Sequence, residues 1–351
     1  MAYTNIDDPS AYFQTALHSS AGSATITNDG NSDLQPDLIW SKARGAAYNH
    51  GLYDSSRGVT KFLSSNADSA ETTASSGFDL TSFNTDGFST GNNQFNTICG
   101  GTTYVGWQWK ANGGTTASNT DGSITSTVQA NQDAGFSIVT YTGNGTDGAT
   151  VGHGLGAVPA MVLFKCRDTS NTDWRIYHQS ISPTNALSLN SAGAQYGASG
   201  VFGGTFTSTL LKVENDTGAN RNTSPMIAYC FAEKQGYSKF GKYVGNGNSN
   251  GPFVYTGFKP AFVLIKRTDS TGGWTIYDTK RGYNGNNYEL FPHSNEAEYT
   301  GTLYFEADIL SNGFKLRLTD GQINASGGSY IYMAFAENPF VTSTGIPTTA
   351  R

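Results

Sequence analysis

The chain has 351 residues, 43 of them glycine, with 13% aromatic and only 14% charged residues. That balance excludes a disordered polyelectrolyte, which is rich in charge and poor in aromatics, and a long-helix protein, which is rich in Ala, Glu, Lys and Leu. With 21 basic and 27 acidic residues the net charge is −6, the basic residues are scattered, and nucleic acid is excluded as a partner.

Gly, Thr and aromatics at low charge point to strands joined by tight turns. No apolar run approaches the ~20 residues of a membrane span, so no membrane insertion is expected. The first ten residues carry Asp7 and Asp8 and no apolar core, which is not a secretory signal. Three cysteines do not make a disulfide framework. Synthesis in a reducing cytoplasm is expected.

Taken in chain order, the sequence repeats itself. Residues 1–10 stand outside the repeats as an N-terminal arm. Residues 11–112 contain an opening Phe13, the run Pro36-Asp37-Leu38-Ile39-Trp40-Ser41-Lys42, the pair Tyr53-Asp54 and the closing Tyr104-Val105-Gly106-Trp107-Gln108-Trp109. Residues 113–134 are poor in apolar side chains and read as a Gly/Ser/Thr/Asn-rich linker. Residues 135–234 repeat the anchors as Phe136, Pro159-Ala160-Met161-Val162-Leu163-Phe164-Lys165, Tyr177-His178 and Ile227-Ala228-Tyr229-Cys230-Phe231. Residues 238–340 repeat them as Phe240, Pro260-Ala261-Phe262-Val263-Leu264-Ile265-Lys266, Tyr277-Asp278 and Tyr330-Ile331-Tyr332-Met333-Ala334-Phe335. Residues 341–351 form a tail.

Each repeat is the size of a small domain and is expected to bury its own core. Continuous apolar runs such as Val162-Leu163-Phe164 suit a central strand, and Gly313-Phe314-Lys315-Leu316 alternates like a half-wet one. Gly143-Asn144-Gly145 and Gly245-Asn246-Gly247 are turn signals. The expectation is an all-β protein of three tandem ~100-residue β-sandwich or jelly-roll-like units.

Residues that could carry chemistry read as scaffold. His18, His50, His153, His178 and His293 lack metal-motif spacing, and His178 stands alone where the other repeats have Asp54 and Asp278. Cys99, Cys166 and Cys230 are not in CxxC spacing and read as structural thiols. Glu233 and Glu337 close the same anchor, but the first repeat has Ala111 there, so they read as charges at strand exits rather than a glycosidase pair. Asp29-Gly30-Asn31-Ser32-Asp33 could offer oxygen ligands to Ca²⁺ but lacks a complete loop signature, so Asx turns are the expected role. Gly152-His153-Gly154-Leu155-Gly156 precedes a proline and a strand, not the helix of a nucleotide loop. Asp54 with Arg57, and Asp278 with Arg281, are expected to fix loops through charged hydrogen bonds. Trp40, Trp107, Trp109, Trp174 and Trp274 are expected in the core. No catalytic, cofactor-binding or metal residue is assigned, and no cofactor.

The segments at 36–44, 53–58, 84–88 and 104–111, with the closing Ala334-Phe335-Ala336-Glu337-Asn338-Pro339-Phe340, resemble repeat domains of virion structural proteins of marine bacteriophages, including cyanophages and pelagiphages. The resemblance implies a non-enzymatic tail fibre or head-decoration appendage in the virion. It implies contacts with other virion proteins and host-surface glycans, a homotrimer by analogy with phage fibres, and docking through residues 1–10. The alternatives are a fibre-borne glycan depolymerase and a free carbohydrate-binding module.

Overall fold

The computed structural model describes residues 3–197, 199–285, 288–300 and 307–348. The fold is all-β and antiparallel. One strand order recurs in the principal sheet of every repeat: opening, closing, proline and tyrosine strand. In the first these are Phe13–His18, Tyr104–Trp109, Leu38–Ala43 and Gly51–Asp54. In the second they are Phe136–Thr142, Pro225–Phe231, Met161–Cys166 and Arg175–His178. In the third they are Ser238–Val244, Ser329–Pro339, Phe258–Arg267 and Trp274–Asp278.

The proline strands are continuously apolar because both of their faces are covered. Alternate residues serve different cores. Ile39, Val162, Phe164, Val263 and Ile265 face a small outer sheet of their own repeat, and each such pair of sheets closes over a private cluster. Leu38, Trp40, Leu163 and Leu264 face the other way, into one cluster shared by all three repeats. The expectation that each repeat buries its own core is therefore only half of the arrangement.

Aromatic rings form the centre of the shared cluster. Trp109, Phe231 and Phe335, the same position of three closing strands, make a triangle with centroid separations of 6.1, 5.9 and 5.6 Å. Phe13 stacks on Phe335 at 5.3 Å, Phe136 on Phe231 at 4.9 Å, and Phe240 lies 6.1 Å from Phe335. Edge-to-face and offset contacts at these distances are favourable beyond the area they bury.

Register corrects one anchor. Phe13 and Phe136 lie opposite Trp109 and Phe231, but the residue opposite Phe335 on the third opening strand is Ser238. Phe240 lies two residues further on, in the column of Thr15 and Ile138.

The flanking segments also differ from expectation. Within 113–134, Ala117–Asn119 and Ser126–Asn131 are strands, and the latter pairs with the opening strand Phe136–Thr142 from Ser126 opposite Tyr141 to Asn131 opposite Phe136. The segment is thus part of the second sheet and not a free linker. Its few apolar residues concealed this: Val128 and Gln129 are buried, Ser126 Oγ donates to the Gly152 carbonyl at 2.7 Å and Asn131 Nδ2 to the Ala111 carbonyl at 3.2 Å. The N-terminal segment from Tyr3 lies against the body and does not project as an arm. Ile6 and Pro9 are buried, Thr4 Oγ1 donates to the Gln235 carbonyl at 2.8 Å, and Asp8 caps the turn Pro9–Ala11. In the tail, Ser343 donates to Asp7, and Val341 bridges to Pro347.

A shared core predicts shared unfolding. Phe335→Ala should cost about 3–5 kcal/mol. Calorimetry should show one transition for the whole chain, moved downward as a unit, rather than one repeat melting ahead of the others.

Candidate functional site

Each pair of neighbouring repeats meets along a seam, and the same contacts recur cyclically. Glu71 N–H donates to the Arg167 carbonyl at 2.7 Å, Gln195 N–H to Thr268 at 2.9 Å, and Glu298 N–H to Arg44 at 2.8 Å. The indole Nε1–H of Trp174 donates to the Ser64 carbonyl and that of Trp274 to Ser188, both at 2.9 Å. Trp40 reaches the equivalent carbonyl, of Phe291, through His50: its Nε1–H donates to His50 Nδ1 at 2.9 Å, leaving Nε2–H for Phe291 at 3.1 Å. Burial pushes the His50 pKa well below its ordinary value.

Lys42, Lys165 and Lys266 are fully buried beside these seams. Their ammonium groups donate mainly to backbone carbonyls, including Ala43, Asp68 and Gly193. Burial pushes each down to about 8.

The Asp/Arg pairs lie at the seams too. Arg57 Nε donates to Asp54, which also accepts from Tyr229 of the next repeat at 2.7 Å. Arg57 continues to Glu71 at 2.9 Å, and Glu71 binds Arg167. The other seam repeats this: Asp278 accepts from Arg281 and from Trp107 Nε1 at 2.9 Å, and Glu298 joins Arg281 to Arg44. Sequence reasoning foresaw the loop pairing but not its partners in the next repeat. The signal was present, since Trp107, Tyr229 and Met333 share one column of the closing strands, opposite Trp40, Leu163 and Leu264.

That column explains His178. Its counterpart across the seam is Met333, which has no hydrogen to donate, and Ile181 stands where the other repeats have arginine. A carboxylate there would be buried without a cation or donor, which is costly. A neutral imidazole fits instead: Nδ1 accepts from Ser180 N–H at 3.1 Å and Nε2–H donates to the Tyr332 carbonyl at 3.2 Å.

The remaining candidates are likewise engaged in structure. His153 bonds to Thr207, His293 accepts from Trp274 N–H, and His18 stacks on Tyr104 at 5.4 Å. The three cysteines are buried and free, and burial pushes the Cys99 thiol up to about 12. Glu233 and Glu337 pair with Lys239 and Lys259. Asp29 pairs with Lys280 and Ser32 bonds to Asp8, and among the described residues no three His, Cys, Asp or Glu side chains are grouped as metal ligands. Three polar anchors were missed. Asp37 accepts from the N–H groups of Ala111, Gly113 and Gly114, and Asn220 and Asn324 pair through their side chains with the turn residues Asn144 and Asn246.

A concave surface lies beside this scaffold. A cleft of about 390 Å³ opens where the first opening strand meets the third repeat, between Thr15 and Asp29 on one side and Thr279, Tyr283 and Glu337 on the other.

Residues 8–339 match a single family model, described as a domain of unknown function (DUF7483). The chain belongs to this family. The DUF7483 match spans all three sequence repeats, as the shared core does. No curated protein matches the chain.

Arg57→Ile strands Asp54 in the core and should cost about 3–5 kcal/mol in denaturant unfolding. Adding Asp54→His and Tyr229→Met copies the second-to-third seam, and the triple variant should recover most of that loss.

Acid should loosen the same seams. The His178 pKa is pushed by burial to about 4, against 6.5 unfolded. Above 6.5 both states are neutral and stability is complete. As pH falls from 6.5 to 4 the unfolded chain takes the proton first, and about 3 kcal/mol is lost at this residue alone. His178→Gln should be less stable at pH 7 yet lose less between pH 6.5 and 4, measured by urea midpoints.

Proposed function

We propose that this DUF7483 chain is a structural component of a phage virion, a tail-fibre or head-decoration appendage. In this reading it acts without turnover, binding other virion proteins and host-surface glycans. The observation that carries the reading is where the distinctive side chains are used. The buried lysines, the Asp/Arg pairs, the indole N–H groups and His50 and His178 all join one repeat to the next or fix the strands beside a seam. Such a chain puts its chemistry into holding shape, as a particle component exposed outside the cell must. The sequence resemblance to marine phage structural proteins points the same way. Homotrimeric assembly belongs to the proposal by analogy with phage fibres.

Mass spectrometry of purified particles, with labelled antibody microscopy, tests it. The chain should be present at defined copy number and decorate the tail or the head. Its absence from particles that are otherwise complete would sink the reading. Light scattering of the purified chain should give three times the 37.3 kDa chain mass.

A further inference from the structure

The three seams are variations on one template, and two are bridged by the chain itself at a particular column. Between the first and second repeats, Gln129 lies opposite Ile138 and donates to Ser55 at 3.0 Å and Ser56 at 2.9 Å. Between the second and third, Gln179 Nε2 donates to the Phe240 carbonyl at 2.7 Å. The matching column of the remaining seam holds Thr15, where the others have Ile138 and Phe240, and Thr279, where the others have Ser55 and Gln179. Two short side chains thus face each other, and the cleft of about 390 Å³ lies there.

Its chemistry is polar but balanced. Thr15 is 5% exposed, and its Oγ1 is buried without a hydrogen-bond partner. The two lysines are engaged: Lys280 Nζ with Asp29, and Lys259 Nζ with Glu337, both at 2.7 Å. An anionic ligand would have to compete with those carboxylates. Tyr283 is 39% exposed, and its ring is held by the Lys259 ammonium 5.2 Å from the centroid. Loop residues Gly30 and Ser32 bond to the Gln14 carboxamide at 2.9 and 2.7 Å. These bonds hold the loop beside the edge strand Phe13–His18, where it forms one wall of the hollow.

We propose that this cleft binds a neutral saccharide unit, whose apolar face lies on Tyr283 and whose hydroxyls bond to the carboxylates, carboxamides and Thr15. A ring face and a few convergent planar polar groups in a concavity are what such recognition requires. The proposal rests on the glycan-contact part of the preceding reading and gives it a location. Virion incorporation is measured separately, so the chain can be a particle component even if this cleft binds no sugar.

The test is saturation-transfer NMR and calorimetry on the full chain. The probes are neutral tetrasaccharides of glucose, galactose, mannose and N-acetylglucosamine, with sialylated and uronate tetrasaccharides and the peptide Ser-Thr-Val-Gln-Ala-Asn as comparators. At least one neutral sugar should bind, with a tenfold or greater loss in Tyr283→Ala. Thr15→Ile, which copies Ile138 and removes the unpartnered hydroxyl, should lose binding while melting no lower than the parent chain, which separates a lost site from a lost fold. Failure of every neutral sugar, binding indifferent to both substitutions, or preference for the charged sugars or the peptide would overturn it.

Discussion

The constraint on which the rest depends is that each principal sheet is buried on both faces. One face meets the repeat's own outer sheet, and the other meets the aromatic hub of Trp109, Phe231 and Phe335. A two-faced sheet has no wet side, so the charged groups buried on it must find partners within the protein. The seams are where those partners are found. This is why lysines sit fully buried on three proline strands with carbonyls around their ammonium groups, and why Asp54 and Asp278 each take an arginine and an aromatic donor.

Seam residues are consequently interchangeable only as sets. A carboxylate needs its arginine and a donor from the next closing strand. Where that strand offers Met333, the carboxylate, the arginine and the donor are all absent together, and His178 bonds to backbone instead. The unit that must be conserved in physical terms is the satisfied network and not any one of its residues.

Much of this was legible in the sequence. The proline, tyrosine and closing anchors correspond to strands in one recurring order, because apolar runs after a fixed turn leave few alternatives. The Asp54/Arg57 and Asp278/Arg281 pairs form as their spacing suggests. What was not legible depended on the third dimension. The hub requires that the inward face of each strand meet two other repeats, and alternation along a strand cannot tell which sheet a face will meet. Strand Ser126–Asn131 was concealed because its buried Gln129 is satisfied by serines of another repeat. The opening anchor slipped by two residues in the third repeat because Ser238, small and polar, holds the column that Phe13 and Phe136 occupy, while the conspicuous Phe240 lies beyond it.

Internal repetition also supplies a control that a single domain lacks. A departure from the template can be sorted by asking whether its neighbours changed with it. His178 departs, and Ile181 and Met333 depart alongside it, so the seam closes and the change belongs to packing. Thr15 departs in the direction of less volume from Ile138 and Phe240, Thr279 lacks the reach of Gln179, and a cleft lies between the two threonines. An unfilled hollow over a buried, unpartnered hydroxyl gives up packing contacts and leaves a polar group unsatisfied, costs that the apolar counterparts Ile138 and Phe240 avoid. Folding alone would favour the larger apolar side chain that the other two repeats carry in the Thr15 column. The same comparison that accounts for His178 by packing leaves the Thr15 cleft between the first and third repeats as the departure that packing does not account for.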